Sequence, residues 1–303
     1  MTIASTSSSA SAESRQDTFV GAEGNRLVAD VYGDGGRPVL LLHGAGQTRY
    51  AWRKTAQALA RAGMTAYAVD ERGHGDSDWV PSGNYAHADF AADARALADA
   101  LAARHGRRPA VAGASMGGIA ALFAEGVAAK EGRPPVFSAL VLVDIAPQVD
   151  RSGIAKVQGF MRARAHEGFA SVDEAADAVA AFLPHRPRPR SNEGLKKNLR
   201  QRADGRWYWH WDPRFMDARP PDDPVRADRQ RTLTEAAKTL KMPVLLVRGG
   251  SSELVSEEHA REFLALVPHA AYVDVAGARH MVAGDRNDQF SEAILAFLTA
   301  IKD

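Results

Sequence analysis

The sequence predicts an α/β protein with a mostly parallel central sheet, helices on both faces and a helical insertion. Three observations carry this. Six short apolar runs, Val39-Leu42, Thr65-Val69, Ala110-Ala114, Leu140-Val143, Val244-Val247 and Tyr272-Val275, have the length and continuity of strands buried on both faces. Between them the apolar residues recur at helical spacing. The alternation of strand and helix, interrupted once, is the pattern of a parallel sheet whose crossovers are helices.

Taken in order, residues 1–18 are dominated by Ser, Ala and Thr and are expected to form a disordered tail. They have neither the basic start nor the apolar stretch of a secretory signal, so a cytoplasmic location is expected. Phe19–Ala22 and Leu27–Tyr32 flank Glu23-Gly24-Asn25 and predict an opening hairpin. Trp52, Ala56 and Leu59 then share one helix face, as do Phe90, Ala94, Leu97 and Leu101, and near the end Phe290, Ile294, Phe297 and Ile301. Residues 19–147 and 233–303 are thus read as the core. Residues 148–232 hold no convincing buried strand. A capping box, Ser171-Val172-Asp173-Glu174, opens a helix over Ala175–Leu183, Leu195 and Leu199 suggest another short helix, and the Pro/Arg-rich stretch from Pro184 to Arg190 stops any helix. An insertion after the carboxyl end of a strand overhangs the ligand region, so this segment is expected to be a helical cap.

Composition narrows the function. The chain has 303 residues, 38 basic against 37 acidic side chains and no cysteine. A chain of this length buries a sizeable core without disulfide or metal staples. Thiolate zinc sites, iron–sulfur clusters and a cysteine nucleophile are excluded, and the near-neutral charge excludes a strongly basic nucleic-acid binder. No apolar run reaches the roughly 20 residues of a membrane span.

The chemistry-bearing residues fall just after predicted strands. Gly113-Ala114-Ser115-Met116-Gly117-Gly118 follows one strand and opens a helix, the context that a G-x-S-x-G nucleophile elbow requires. The sharp turn leaves room only for small residues two before and two after the serine. A serine needs a base, and His280, in Gly277-Ala278-Arg279-His280-Met281 after the last strand, stands where a triad in the order Ser, acid, His puts it. Two residues compete as the acid. Glu253 follows Val244-Val247 through Arg248-Gly249-Gly250-Ser251-Ser252 and is the favoured reading; Asp144, ending Leu140-Val143, is the alternative. His43-Gly44-Ala45-Gly46 follows the first long strand, and its glycines allow an oxyanion hole from the amide of Ala45, or of Gly46, with that of Met116. The absence of both Walker-A and G-x-G-x-x-G spacing argues against a phosphate loop there.

Together with Asp70-Glu71-Arg72-Gly73-His74-Gly75-Asp76-Ser77, read as a turn, these motifs resemble the α/β-hydrolase superfamily from Phe19 to the C-terminus. They are most similar to the capped branch of epoxide hydrolases, haloperoxidases and C–C hydrolases. The departures are informative. Epoxide hydrolases and haloalkane dehalogenases carry an aspartate where this chain has Ser115, C–C hydrolases often have a proline where Gln47-Thr48-Arg49 follows the oxyanion segment, and small perhydrolases usually lack a long cap. The resemblance implies a serine hydrolase, free of metal and organic cofactors, acting on a small or medium carboxylic ester, lactone or related carbonyl substrate, with neither nucleic acid nor membrane as partner. C–C, amide or perhydrolytic chemistry on the same triad, or a hydrolase-fold receptor, are the alternatives. His43, Gly44, Gly46 and Trp209 are the expected substrate contacts, the last within the aromatic run Trp207-Tyr208-Trp209-His210-Trp211. The basic run around it, Arg186, Arg188, Arg190, Lys196, Lys197, Arg200, Arg202 and Arg206, reads as a solvated cap face.

Overall fold

Five of the six apolar runs become strands whose successive side chains enter opposite cores, whereas Tyr272–Val275, expected to be buried on both faces, forms an edge strand with Tyr272 exposed and only Val273 and Val275 packed partly against one core. Leu40 and Leu42 of the third strand pack on one face of the sheet, while Val39 and Leu41 pack on the other. In the computed structural model, which describes residues 13–184, 191–217, 226–280 and 287–301, the strands are β1 (Arg15–Val20), β2 (Arg26–Tyr32), β3 (Pro38–Leu42), β4 (Thr65–Asp70), β5 (Ala110–Ala114), β6 (Ala139–Val143), β7 (Leu199–Gln201), β8 (Trp207–Trp209), β9 (Val244–Gly249) and β10 (Ala271–Val275). Eight of them form one sheet in the order β1-β2-β4-β3-β5-β6-β9-β10, antiparallel at β1/β2 and β2/β4 and parallel thereafter.

The helices are α1 (Arg53–Arg61), α2 (His87–His105), α3 (Met116–Lys130), α4 (Arg151–Arg162), α5 (Val172–Phe182), α6 (Glu193–Lys196), α7 (Arg214–Asp217), α8 (Arg226–Lys238), α9 (Glu257–Leu266) and α10 (Ser291–Ala300). One face of the sheet is covered by Ala56 and Leu59 of α1 with Ile294 and Leu298 of α10. The other is covered by apolar residues of α2, α3, α8 and α9, among them Leu97, Ala121, Leu233 and Phe263. None of the described helices is long and apolar enough to cross a membrane.

The strand order sets the site. From β3 the chain steps outward to β4 and then returns to the opposite side of β3 for β5, so the connections leave β3 and β5 in opposite directions. That switch opens a crevice at the carboxyl ends of the two strands, where ligands collect in open α/β sheets. Register makes the ends coincide: Leu42 pairs with Gly113, Ala114 with Val143, and Val143 with Val247. The loops after β3, β5, β6 and β9 therefore emerge side by side.

Three further expectations are corrected. The tail expected over residues 1–18 ends earlier, because Arg15 to Val20 pair with Val31 to Arg26; residues 1–12 lie outside the described residues. This edge strand reads as polar since only Phe19 turns inward, onto the edge of Tyr67. The cap is not purely helical. Leu199 opens the β7/β8 hairpin, while the short helix expected around it covers only Glu193 to Lys196. The stretch 185–190, with Arg186, Arg188 and Arg190, lies outside the described residues. Finally, α8 runs through the expected boundary at 232/233. Leu233, Ala236 and Ala237 join the sheet core, and α3 and α8 approach so closely that a Cβ on Gly126 would stand 2.5 Å from that of Ala236. Of the remaining cap, Ser171 caps α5, accepting from the Glu174 amide at 3.1 Å, while the other half of the expected capping box is displaced by one residue: the Glu174 carboxylate accepts from the Ala170 amide.

Candidate active site

Ser115 stands between β5 and α3 with φ 47° and ψ −109°. Only close neighbours can hold a side-chain-bearing residue there, and the surrounding glycines show how close they are. A Cβ on Gly113 would lie 2.4 Å from the Gly118 amide nitrogen, one on Gly117 2.6 Å from the Leu42 Cβ, and one on Gly118 2.5 Å from Ile145 Cγ2. The Ser115 amide donates to Val143 O at 3.1 Å, and Gly117 N–H donates to His43 O at 3.2 Å, so the elbow is fastened to strands on both sides.

His280 reaches the same place from beyond β10, and its imidazole meets Asp144, not Glu253. Nδ1–H donates to Asp144 Oδ2 at 2.8 Å, with both residues almost fully buried (8% and 3% exposed). Asp144 has a left-handed backbone, φ 51°, immediately after β6. Its carboxylate also accepts from the Gly249 amide at 3.0 Å and from Ser252 Oγ at 2.8 Å. Ser252, a residue that sequence reasoning passed over, is itself held by accepting from the amides of Leu254 and Val255, each at 3.1 Å. Glu253 is carried elsewhere because its loop folds back over the end of β10: Gly250 N–H donates to Val275 O and Ser251 N–H to Ala278 O. Its carboxylate then pairs with Arg279 at 2.7 Å and accepts weakly from the His280 backbone amide at 3.4 Å, which braces the loop.

Ser115, Met116, Ala45 and His280 line one cavity of about 150 Å³. Its remaining wall is mainly apolar, from Ile119 on α3, Ile145 and Val149 after β6, Ile154 and Met161 on α4, and Phe215 on α7. Met116 opens α3, so the positive end of the helix dipole lies beside Ser115. Gly46 N–H is excluded from an oxyanion hole, as it donates to His74 Nε2 at 3.2 Å.

Of the expected substrate contacts, none of His43, Gly44, Gly46 and Trp209 is among the described residues lining the cavity. His43 is fully buried and pins its loop, donating from Nδ1 to Gly44 O at 2.8 Å and accepting at Nε2 from the Glu71 amide at 3.0 Å. Gly44 abuts the elbow, where a Cβ would come within 3.5 Å of that of Ser115, and its amide donates to Gln47 Oε1 at 2.9 Å. Gly46 lies against Met161 and Trp211. Trp209 stacks on Trp211 at 4.9 Å and meets Phe169 edge-on, so the aromatic run fastens the cap to the core. The described part of the basic run is spent within the cap and its seam: Arg200 pairs with Asp76 at 2.8 Å, Arg202 lies 3.8 Å over the Tyr208 ring, and Arg206 donates to Glu167 O.

Three buried imidazoles staple these loops together. His74 donates from Nδ1 to Arg72 O, while His210 of the cap accepts from the Gly75 amide at 2.7 Å and donates from Nε2 to Gly46 O at 3.1 Å. An imidazole that accepts a hydrogen bond at one nitrogen must be neutral. Burial accordingly lowers the pKa of His43 to about 4 and that of His210 to about 3. In the unfolded chain both titrate near 6.5. The folded-state values are depressed, so this contribution to stability is complete above pH 6.5 and is lost as pH falls toward 4. Between pH 6.5 and 5 the two together are expected to remove about 2–4 kcal/mol. Thermal unfolding followed by circular dichroism over that range should show the midpoint falling by several degrees. His210→Gln, which can still accept and donate, should flatten the slope by about half; an unchanged slope would assign the acid sensitivity to other groups.

Loops that converge at a switch point on the carboxyl ends of parallel strands, with a segment inserted after β6, are the architecture of an α/β hydrolase. The family model described as the alpha/beta hydrolase fold matches residues 37–286, and the chain belongs to that family. It is 28% identical over 273 residues to the esterase Rv0045c of Mycobacterium tuberculosis, covering 86% of this chain and 82% of that protein. It is 27% identical over 275 residues to the mouse (Mus musculus) sn-1-specific diacylglycerol lipase ABHD11, covering 86% and 80%. Among solved structures, E-2-(acetamidomethylene)succinate hydrolase superposes with a TM-score of 0.76 at 23% identity, covering 95% of this chain and all of the other, a likeness of fold.

Proposed function

We propose that the protein is a serine hydrolase that cleaves small or medium carboxylic esters through an acyl-enzyme on Ser115. The observation that supports this best is the imidazole of His280, held through Nδ1 by the buried Asp144 and facing the same cavity as Ser115. A donating Nδ1 leaves Nε2 as the basic nitrogen. Nε2 takes the Ser115 proton as the hydroxyl attacks the ester carbonyl. The amides of Ala45 and Met116 hold the resulting oxyanion, and such donors are typically worth about 100- to 1,000-fold each. The tetrahedral intermediate collapses as His280 passes its proton to the departing alcohol. Water then enters, His280 removes its proton, and the second collapse frees the acid and Ser115. Asp144 keeps the imidazole oriented and stabilises its transient positive charge. Lactones present the same carbonyl with the alcohol tethered and fall within the same class. The esterase and the diacylglycerol lipase among the relatives support ester cleavage.

The cavity is small beside the several hundred Å³ of pockets for drug-sized ligands, which points to short acyl chains. A p-nitrophenyl ester panel from acetate to dodecanoate should give kcat/KM a maximum at about four to eight acyl carbons. On the best substrate, rapid mixing should show a p-nitrophenol burst whose amplitude equals the enzyme concentration when deacylation is slow. Turnover without any chain-length optimum would place the acyl group outside this cavity.

A further inference from the structure

The described lining of the cavity sets cationic side chains among its apolar walls. Arg151 on α4 and Arg229 on α8 both line it, and none of its described lining residues is an aspartate or glutamate. Arg151 belongs to a continuous stripe on α4, with Ile154, Val157 and Met161 at helical spacing, so one face of that helix carries both the cation and the apolar wall. The stripe extends about 15 Å along the helix axis at 1.5 Å per residue. Its far end, Met161, sits against the oxyanion loop, where a Cβ on Gly46 would lie 2.9 Å from Met161 Cε. Its near end carries Arg151.

The acidic groups beside Arg151 are already occupied. Asp150 caps α4, accepting from the amides of Ser152 at 2.7 Å and Gly153 at 3.1 Å. Glu253, on the segment packed under Gly153, is paired with Arg279. Arg151 itself makes no hydrogen bond or ion pair with the described residues, and Gln158 and Gln230 add neutral hydrogen-bonding groups to the wall. Arg151 is exposed and Arg229 half-buried with a partner of its own, and a guanidinium has five donors, so it can still match a carboxylate with a pair of them.

From this we propose that the preferred substrates are esters bearing a carboxylate on the part of the molecule that the cavity takes in, with Arg151 and Arg229 as the residues that select it. The inference rests on the serine-hydrolase reading and adds a substrate class to it. The test compares two matched esters, the mono-p-nitrophenyl ester of adipic acid and p-nitrophenyl hexanoate, which differ by a terminal carboxylate in place of a methyl group. The wild type should favour the adipate ester in kcat/KM by about tenfold or more, a ratio typical of a charge-assisted contact. Arg151→Gln and Arg229→Gln should each lower that ratio several-fold, chiefly through KM for the adipate ester. Raising the ionic strength from about 0.02 to about 0.5 M should lower it as well. Arg133→Gln, at an exposed position beyond the far end of α3, controls for loss of net charge and should leave the ratio unchanged.

Equal efficiency on the two esters, with Ser115-dependent turnover of both, overturns the inference and leaves the esterase reading standing. A ratio that neither arginine variant alters also overturns it. If neither ester is turned over, calorimetry with monomethyl adipate decides: arginine-dependent binding keeps the anion site and removes the esterase reading, and absence of binding removes the site.

Discussion

Ser115→Ala is expected to lower kcat on p-nitrophenyl esters by about 10⁴- to 10⁶-fold, the loss seen when a triad nucleophile is removed. The lower figure corresponds to about 5.5 kcal/mol of transition-state stabilisation. Among the described cavity-lining residues no other hydroxyl, thiol or carboxylate stands in for Ser115: His280 is committed through Nδ1 to Asp144, and the remaining polar side chains are His87, two glutamines and two arginines. The variant should also fold normally, because the strain at φ 47° belongs to the backbone and the Cβ, both of which alanine keeps. A near-native unfolding midpoint with activity lost therefore reports chemistry. Retention of more than about a hundredth of wild-type kcat, with contaminating esterase excluded by active-site titration, would remove Ser115 from the mechanism.

The fold was legible because it depends on periodicity. Ala110–Ala114 reads as a strand of doubly buried residues, and it is one. Phe90, Ala94, Leu97 and Leu101 read as one helix face, and all four are buried. The elbow glycines were legible for a related reason: a turn that brings Gly113 against Gly118 admits no side chain, so the constraint is written in residue type. What was not legible depends on direction. Phe19 is the single inward residue of β1, and a lone apolar position in a polar strand leaves no period to detect. Trp209 carries the size and apolarity of a pocket residue, but whether its ring faces ligand or Trp211 is decided by how the β7/β8 hairpin lies on α4. His43 reads in the sequence as a substrate contact and His210 only as part of an aromatic run, and the hydrogen bonds at both their nitrogens reveal them as staples.

The acid is the sharpest case, and it yields the second large effect. Chain order admits both Asp144 and Glu253 between Ser115 and His280, so order cannot choose. The hydrogen bonds of the two carboxylates do distinguish them. At φ 51° Asp144 turns its carboxylate back across the ends of β6 and β9, where the Gly249 amide, Ser252 Oγ and His280 Nδ1 converge on it. Glu253 is longer but starts from a loop already folded toward Arg279. Asp144→Asn is nearly isosteric, yet its amide can donate to the imidazole and so favours the wrong tautomer. Nε2 then carries the proton and cannot accept one from Ser115, and the expected loss in kcat is about 10⁴-fold. Glu253→Gln removes only the ion pair with a half-exposed arginine and a long hydrogen bond to the His280 amide, so kcat should fall less than about tenfold. The two variants assayed side by side on one ester, with fold checked by circular dichroism, decide between the acids. A larger loss from Glu253→Gln than from Asp144→Asn would mean that the working enzyme swings the glutamate onto the imidazole, and that the Asp144 pairing belongs to a resting arrangement of the β9 loop.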